Sequence, residues 1–105
     1  MRTMQEKALT IIQNTIAQHG FEPVIKTIYA NTGHIGVQDK NAFGNIASIQ
    51  YTFQDAHVSF TITVRGKKIL SQPPRPDYFN FLIEYHKPED FDNFIKRLQG
   101  ELDKL

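Results

Sequence analysis

The sequence predicts a two-layer α+β sandwich, in which an antiparallel sheet of four to five strands carries the N-terminal and the C-terminal helix on one face. Apolar residues recur at helical period at both ends of the chain, and at period two between them. The connections between predicted strands are short enough for antiparallel pairing. The predicted order is α-β-β-β-β-α, and a chain of 105 residues is expected to form one domain, 1–105.

The composition indicates a globular protein. Hydrophobic residues make up 40% of the chain and the net charge is +1, so burial outweighs chain entropy. Cysteine is absent, which excludes disulfides and thiolate chemistry and leads us to expect a reducing, cytoplasmic environment. Glu6 and neighbouring polar residues interrupt the N-terminal apolar pattern, so we expect no signal peptide and no membrane span.

The N-terminal helix is predicted to begin at about Met4. Thr3 and Glu6 have the spacing of a capping box, and Gly20 followed by Phe21 is typical of a left-handed C-cap with its apolar contact. The apolar stripe of this helix consists of Met4, Ala8, Leu9, Ile12 and Ile16.

Two strands are predicted to follow. Pro23 stops the helix, and residues 24–30 are rich in β-branched side chains. Residues 34–38 form a shorter strand weakened by glycine, and the loop 39–45 follows it.

The central hairpin has the clearest pattern, because its apolar and polar residues alternate strictly. The apolar set is Ala47, Ile49, Tyr51, Phe53, Val58, Phe60, Ile62 and Val64. The polar set is Ser48, Gln50, Thr52, Ser59, Thr61 and Thr63, which we expect to face solvent or a partner.

A last strand and helix complete the sandwich. Residues 77–85 form the strand, with Phe79, Phe81, Ile83 and Tyr85 on the core side. Pro88 lies at the first position of the helix, and acidic residues follow it at the positive end of the helix dipole. The stripe of this helix is Phe91, Phe94, Ile95, Leu98, Leu102 and Leu105.

No residues with a pattern typical of catalysis stand out. No serine lies in a Gly-x-Ser-x-Gly elbow, and the histidines have no metal-ligand spacing. His86, Glu89 and Asp90 come closest to a metal-ligand cluster, but they also fit an ordinary helix N-terminus. We therefore predict no catalytic, cofactor or metal residue, and a binding protein is expected over an enzyme.

The segment RGKKILSQPPRP, residues 65–76, combines four positive charges with three prolines. Proline stiffens such a loop, and its charges are ordinarily solvated. The alternatives are a protein partner of negative charge and a nucleic acid. The candidate partner-binding residues are Arg65, Lys67, Lys68, Arg75 and Tyr78.

The resulting hypothesis is a small non-catalytic binding or regulatory domain that acts through protein–protein contacts or self-association. Residues 34–38 carry few charges, and we expect this short strand to be an unprotected sheet edge that invites pairing with a second copy. The alternative is a nucleic-acid-binding protein that uses the basic 65–75 loop. A protein partner or homo-oligomer is expected ahead of nucleic acid, and no membrane partner is expected.

Overall fold

The computed structural model describes residues 2–40, 44–65 and 77–105. Within these residues, one helix precedes the five strands and a second helix follows them. The elements are α1 (Arg2–Gln18), β1 (Glu22–Tyr29), β2 (Thr32–Gln38), β3 (Asn45–Phe53), β4 (His57–Val64), β5 (Asp77–Glu84) and α2 (Pro88–Asp103).

The strands form one antiparallel sheet in the order β1-β2-β3-β4-β5, which confirms the predicted fold class with the larger of the two expected strand numbers. Each strand pairs with its neighbours in sequence. The expectation that residues 34–38 form an edge is wrong, because β2 lies between β1 and β3. The two edge strands are β1 and β5.

Helix α1 begins at Arg2, two residues before the predicted start. Thr3 therefore lies inside the helix rather than at its N-cap. The predicted left-handed C-cap of α1 is confirmed, since Gly20 has a φ of 84°. The backbone N–H of Gly20 donates to the Ala17 carbonyl and that of Phe21 to the Ile16 carbonyl, the two bonds of a Schellman motif.

The hydrophobic core lies between the sheet and both helices. The rings of Phe60 on β4 and Phe94 on α2 stack with their centroids 4.4 Å apart. Ile12 and Ile16 of α1 belong to the same core and have no exposed surface. Because the core residues of the strands alternate with residues of the other face, both helices cover one face and leave the other open.

The two helices run in the same direction. Their N-terminal halves line one cavity, and their C-terminal ends meet where Nε2 of His19 lies 2.9 Å from Oδ1 of Asp103. The α2 stripe is only partly buried as predicted: Phe94, Leu98 and Leu102 are buried, whereas Phe91, Ile95 and Leu105 are half-buried.

The open face carries the six predicted polar residues, of which Gln50 is exposed, Thr52, Ser59 and Thr61 are half-buried, and Ser48 and Thr63 are buried. Ser48 and Thr63 lie opposite each other on β3 and β4, and both are buried. The Thr63 hydroxyl donates to Oε1 of Gln50 at 3.3 Å, and Tyr78 flanks Thr63 on β5. The buried Thr63 hydroxyl therefore has its hydrogen-bond partner on the neighbouring strand β3.

Candidate protein-binding edge of the sheet

The edge strand β5 presents an uncharged apolar surface. Residues 78–83 contain no ionisable acid or base other than the Tyr78 phenol, and Asp77 and Glu84 flank them. The register places Tyr78 opposite Thr63 and Leu82 opposite Ser59, so both side chains belong to the open face. Each of the two side chains is 61% exposed.

On its outer side, the backbone of β5 has groups that bond to no other strand of the described residues. The N–H of Tyr85 donates to the Ala56 carbonyl, which fixes the alternation of hydrogen-bonded pairs along the β4–β5 ladder. By this alternation the N–H and C=O groups of Tyr78, Asn80 and Leu82 point away from β4. In the described ranges, no strand other than β4 pairs with β5.

Asn80 occupies the middle of this outer edge, between Tyr78 and Leu82. Its Oδ1 accepts a hydrogen bond from the Thr61 hydroxyl at 2.8 Å, which orients the carboxamide. The Nδ2 donors of Asn80 have no partner among the residues that the structure describes. The edge therefore offers an oriented side-chain donor in addition to its backbone groups.

The opposite edge strand, β1, is protected against pairing. Pro23 has no backbone N–H, Lys26 brings a charge to the middle of the strand, and the register shifts between Thr27 and Tyr29. These are features by which natural sheets discourage the addition of a further strand. Exposed apolar side chains are nevertheless present on β1, namely Val24, Ile25, Ile28 and Tyr29.

A separate cavity of about 280 Å³ opens between the N-terminal halves of the helices. Ala8 and Ile11 of α1 face Phe91 of α2 across it, above Val58 and Ile83 of the sheet. At the rim, Nζ of Lys87 lies 3.4 Å from Oε2 of Glu84. The cavity is large enough for an apolar side chain or a small apolar molecule, and its rim has charges of both signs.

The structure describes two of the five predicted partner-binding residues. Tyr78 is exposed on β5, and Arg65 is exposed at the end of β4, where its N–H donates to the Ile46 carbonyl at 2.9 Å. Because Val64 lies opposite Asp77, Arg65 and Tyr78 are at the same end of the sheet. Lys67, Lys68 and Arg75 lie outside the described residues.

The sequence interpretation did not name Asn80 and Leu82 as candidate binding residues. Their alternation with Phe79 and Phe81 placed them correctly on the outward side of the strand. The available signal was the uncharged run 78–83, which resembles an inner strand although it forms an edge.

Titratable groups do not gather into a reactive site in the described residues, where no three His, Cys, Asp or Glu side chains lie close enough to hold a metal ion. His86 contacts Glu84, with Nε2 and Oε2 3.4 Å apart. Burial, with a smaller effect of the Asp55 charge, raises the pKa of Tyr85 above its ordinary value of 10.0. Its hydroxyl donates to the Gln54 carbonyl at 2.6 Å.

Comparison with protein-family models, with curated proteins and with solved structures found no match. None of the helices in the described ranges is both long enough and apolar enough to cross a bilayer. The arguments about function therefore start from the contacts and exposure of this chain.

Proposed function

We propose that this protein is a non-catalytic binding domain that acts by pairing its β5 edge with an extended segment of another polypeptide, either a protein partner or a second copy. The observation that carries the proposal is the contrast between the two edges. Pro23, Lys26 and a register shift protect β1, whereas β5 exposes Tyr78 and Leu82 and has no such protection.

An added strand would be held in two ways. The outward N–H and C=O groups of Tyr78, Asn80 and Leu82 supply main-chain hydrogen bonds, which give affinity with little dependence on sequence. The side chains of Tyr78 and Leu82 would contact alternate side chains of the added strand, and these contacts supply specificity. Half-buried Phe79 and Phe81 extend the apolar contact on the other face.

The test is affinity purification of the tagged chain from the cells that make it naturally, followed by identification of the co-purifying molecules. Leu82→Lys places a charge on the β5 edge, and Val24→Lys is the matched control on the β1 edge, because both side chains are exposed. We expect a protein, or an untagged copy of the chain, to be retained by the wild type and by Val24→Lys and to be lost from Leu82→Lys. Thermal unfolding of each variant checks that it is folded.

Two outcomes contradict the proposal. Retention of the same protein by Leu82→Lys places the interface elsewhere. Recovery of nucleic acid that is lost in Arg65→Glu and at raised salt supports the nucleic-acid alternative.

A further inference from the structure

We infer that the strand paired with β5 is the β5 strand of a second copy, related by a two-fold axis that passes beside Asn80, so that two sheets of five strands join into one of ten. This inference rests on the proposed function, because it names the partner of the same edge. Four features of the strand support it: its hydrogen-bonding groups, its side-chain register, its charges and the contrast with β1.

The hydrogen-bonding groups of β5 are self-complementary around Asn80. An antiparallel register that sets Asn80 opposite Asn80 also sets Tyr78 opposite Leu82 of the second copy, and it uses all three outward-facing residues on both strands. A register that sets Phe81 opposite Phe81 would place Tyr78 opposite Glu84 of the second copy. It would use the Glu84 carbonyl as a hydrogen-bond acceptor. That carbonyl already accepts the Lys87 N–H at 3.0 Å. The Asn80-centred register is therefore favoured.

The side chains match in the same register. Tyr78 of each copy lies opposite Leu82 of the other on the open face, which covers the two most exposed apolar groups of β5. On the helix face, Phe79 lies opposite Phe81 of the second copy. An axis normal to the sheet keeps the helices of both copies on one side and joins the two open faces.

The charges are compatible with this arrangement. No charged residue lies within the paired segment 78–83. With Asn80 opposite Asn80, Asp77 lies opposite Ile83 of the second copy and next to its Glu84, whose Oε2 is 3.4 Å from Nζ of Lys87. The Lys87 charge reduces the repulsion between the two carboxylates at each end of the pair.

Strand β1 is poorly suited to pair with itself. The Phe53 N–H donates to the Asn31 carbonyl, and the alternation that follows leaves the backbone groups of Ile25 and Thr27 pointing outward. A symmetric pairing centred on Lys26 places Lys26 directly opposite Lys26, and one centred on Ile25 sets Thr27 opposite Pro23, which has no N–H; both are unfavourable. The two edges therefore predict one dimer and no open-ended chain of sheets.

The experiment measures molar mass by light scattering after size exclusion over a range of protein concentrations. We expect the wild type and Val24→Lys to have twice the mass of one chain, and Leu82→Lys to be a monomer that unfolds at a similar temperature. The chain has no cysteine, so Asn80→Cys and Val24→Cys provide single sites for a spin label. Labels at residue 80 should be close together, since opposed Cα atoms in a hydrogen-bonded pair are about 5.5 Å apart. Labels at residue 24 should be far apart.

A monomeric wild type at the highest concentration overturns the inference. A dimer that survives Leu82→Lys, or one in which the labels at residue 80 are distant, overturns it as well. The proposed function is decided separately: capture of a different protein that depends on Leu82 supports it even when no second copy is bound. If Leu82→Lys changes neither the captured molecules nor the molar mass, both proposals are wrong.

Discussion

Gly33 on β2 lies directly beneath the Tyr51 side chain of β3. A Cβ atom at Gly33 would be 2.5 Å from the Tyr51 hydroxyl oxygen and 2.6 Å from the Lys26 carbonyl oxygen of β1. The position is thus enclosed by a side chain on one strand and by backbone on the other. Tyr51 is buried in the core, and its ring covers the strand where glycine leaves no side chain of its own.

Gly33→Ala should destabilise the protein. The Lys26 carbonyl is part of the sheet ladder and cannot move without disturbing β1, so we expect a loss of about 1–3 kcal/mol in the free energy of unfolding. Urea unfolding followed by circular dichroism measures this loss. A variant as stable as the wild type would show that the Tyr51 side chain and the β1 backbone move away from the added Cβ at little cost in free energy.

Gly100→Ala should have the opposite effect and is the matched control. Gly100 lies inside α2, and apart from its chain neighbours and the backbone of its own helix, a Cβ there would meet no atom within 4 Å. Alanine restricts the unfolded chain and favours the helix, so stability should rise by roughly 0.5–1 kcal/mol. The same urea titration gives the value, and a loss of stability would contradict the open surroundings of this residue.

Tyr85→Phe should lower stability at neutral pH and reduce its dependence on alkaline pH. The substitution removes the hydrogen bond to the Gln54 carbonyl, which is worth about 1 kcal/mol. The pKa of Tyr85 is raised in the folded protein, so its contribution is full below the ordinary value of 10.0 and is lost as pH rises through the folded pKa. Unfolding of both proteins across this range should show their difference shrinking. A constant difference would contradict the effect of burial.

Ala8→Leu should stabilise the protein by partly filling the cavity between the helices. Ala8 is half-buried at the cavity wall, and leucine is also a good helix former. We expect a gain of about 0.5–2 kcal/mol, measured by thermal and urea unfolding. Thr10→Leu, on an exposed site of the same helix, controls for the added apolar surface. Equal gains in both variants would show that the cavity is not filled.

The contact between His19 and Asp103 should contribute little to stability. Both ring nitrogens of His19 face oxygen atoms, because Nδ1 lies 2.8 Å from the Thr15 carbonyl oxygen and Nε2 lies 2.9 Å from Oδ1 of Asp103. The Asp103 side chain is 69% exposed, so solvent screens the pair. A double-mutant cycle with His19→Ala and Asp103→Ala should give a coupling of less than about 1 kcal/mol that falls in high salt. A larger, salt-independent coupling would contradict this screening.

The periodicity of the chain was sufficient to predict the sandwich. The stripe on α2 and the alternation through Tyr51 and Phe60 show which side of each element is buried, because side-chain direction follows from backbone geometry alone. The left-handed C-cap at Gly20 could be predicted for a similar reason, because a positive φ that ends a helix is a property of the local backbone.

The sequence by itself therefore determined the elements, their buried faces and the absence of thiol chemistry. Only the tertiary structure decided which strands are edges, because strand order depends on pairing between segments that periodicity does not encode. Residues 34–38 and 78–83 are both poor in charge, yet the first segment lies in an inner strand and the second in an edge strand. The proposed binding surface on β5 follows from that difference, since an added strand needs backbone groups that no strand of its own sheet uses.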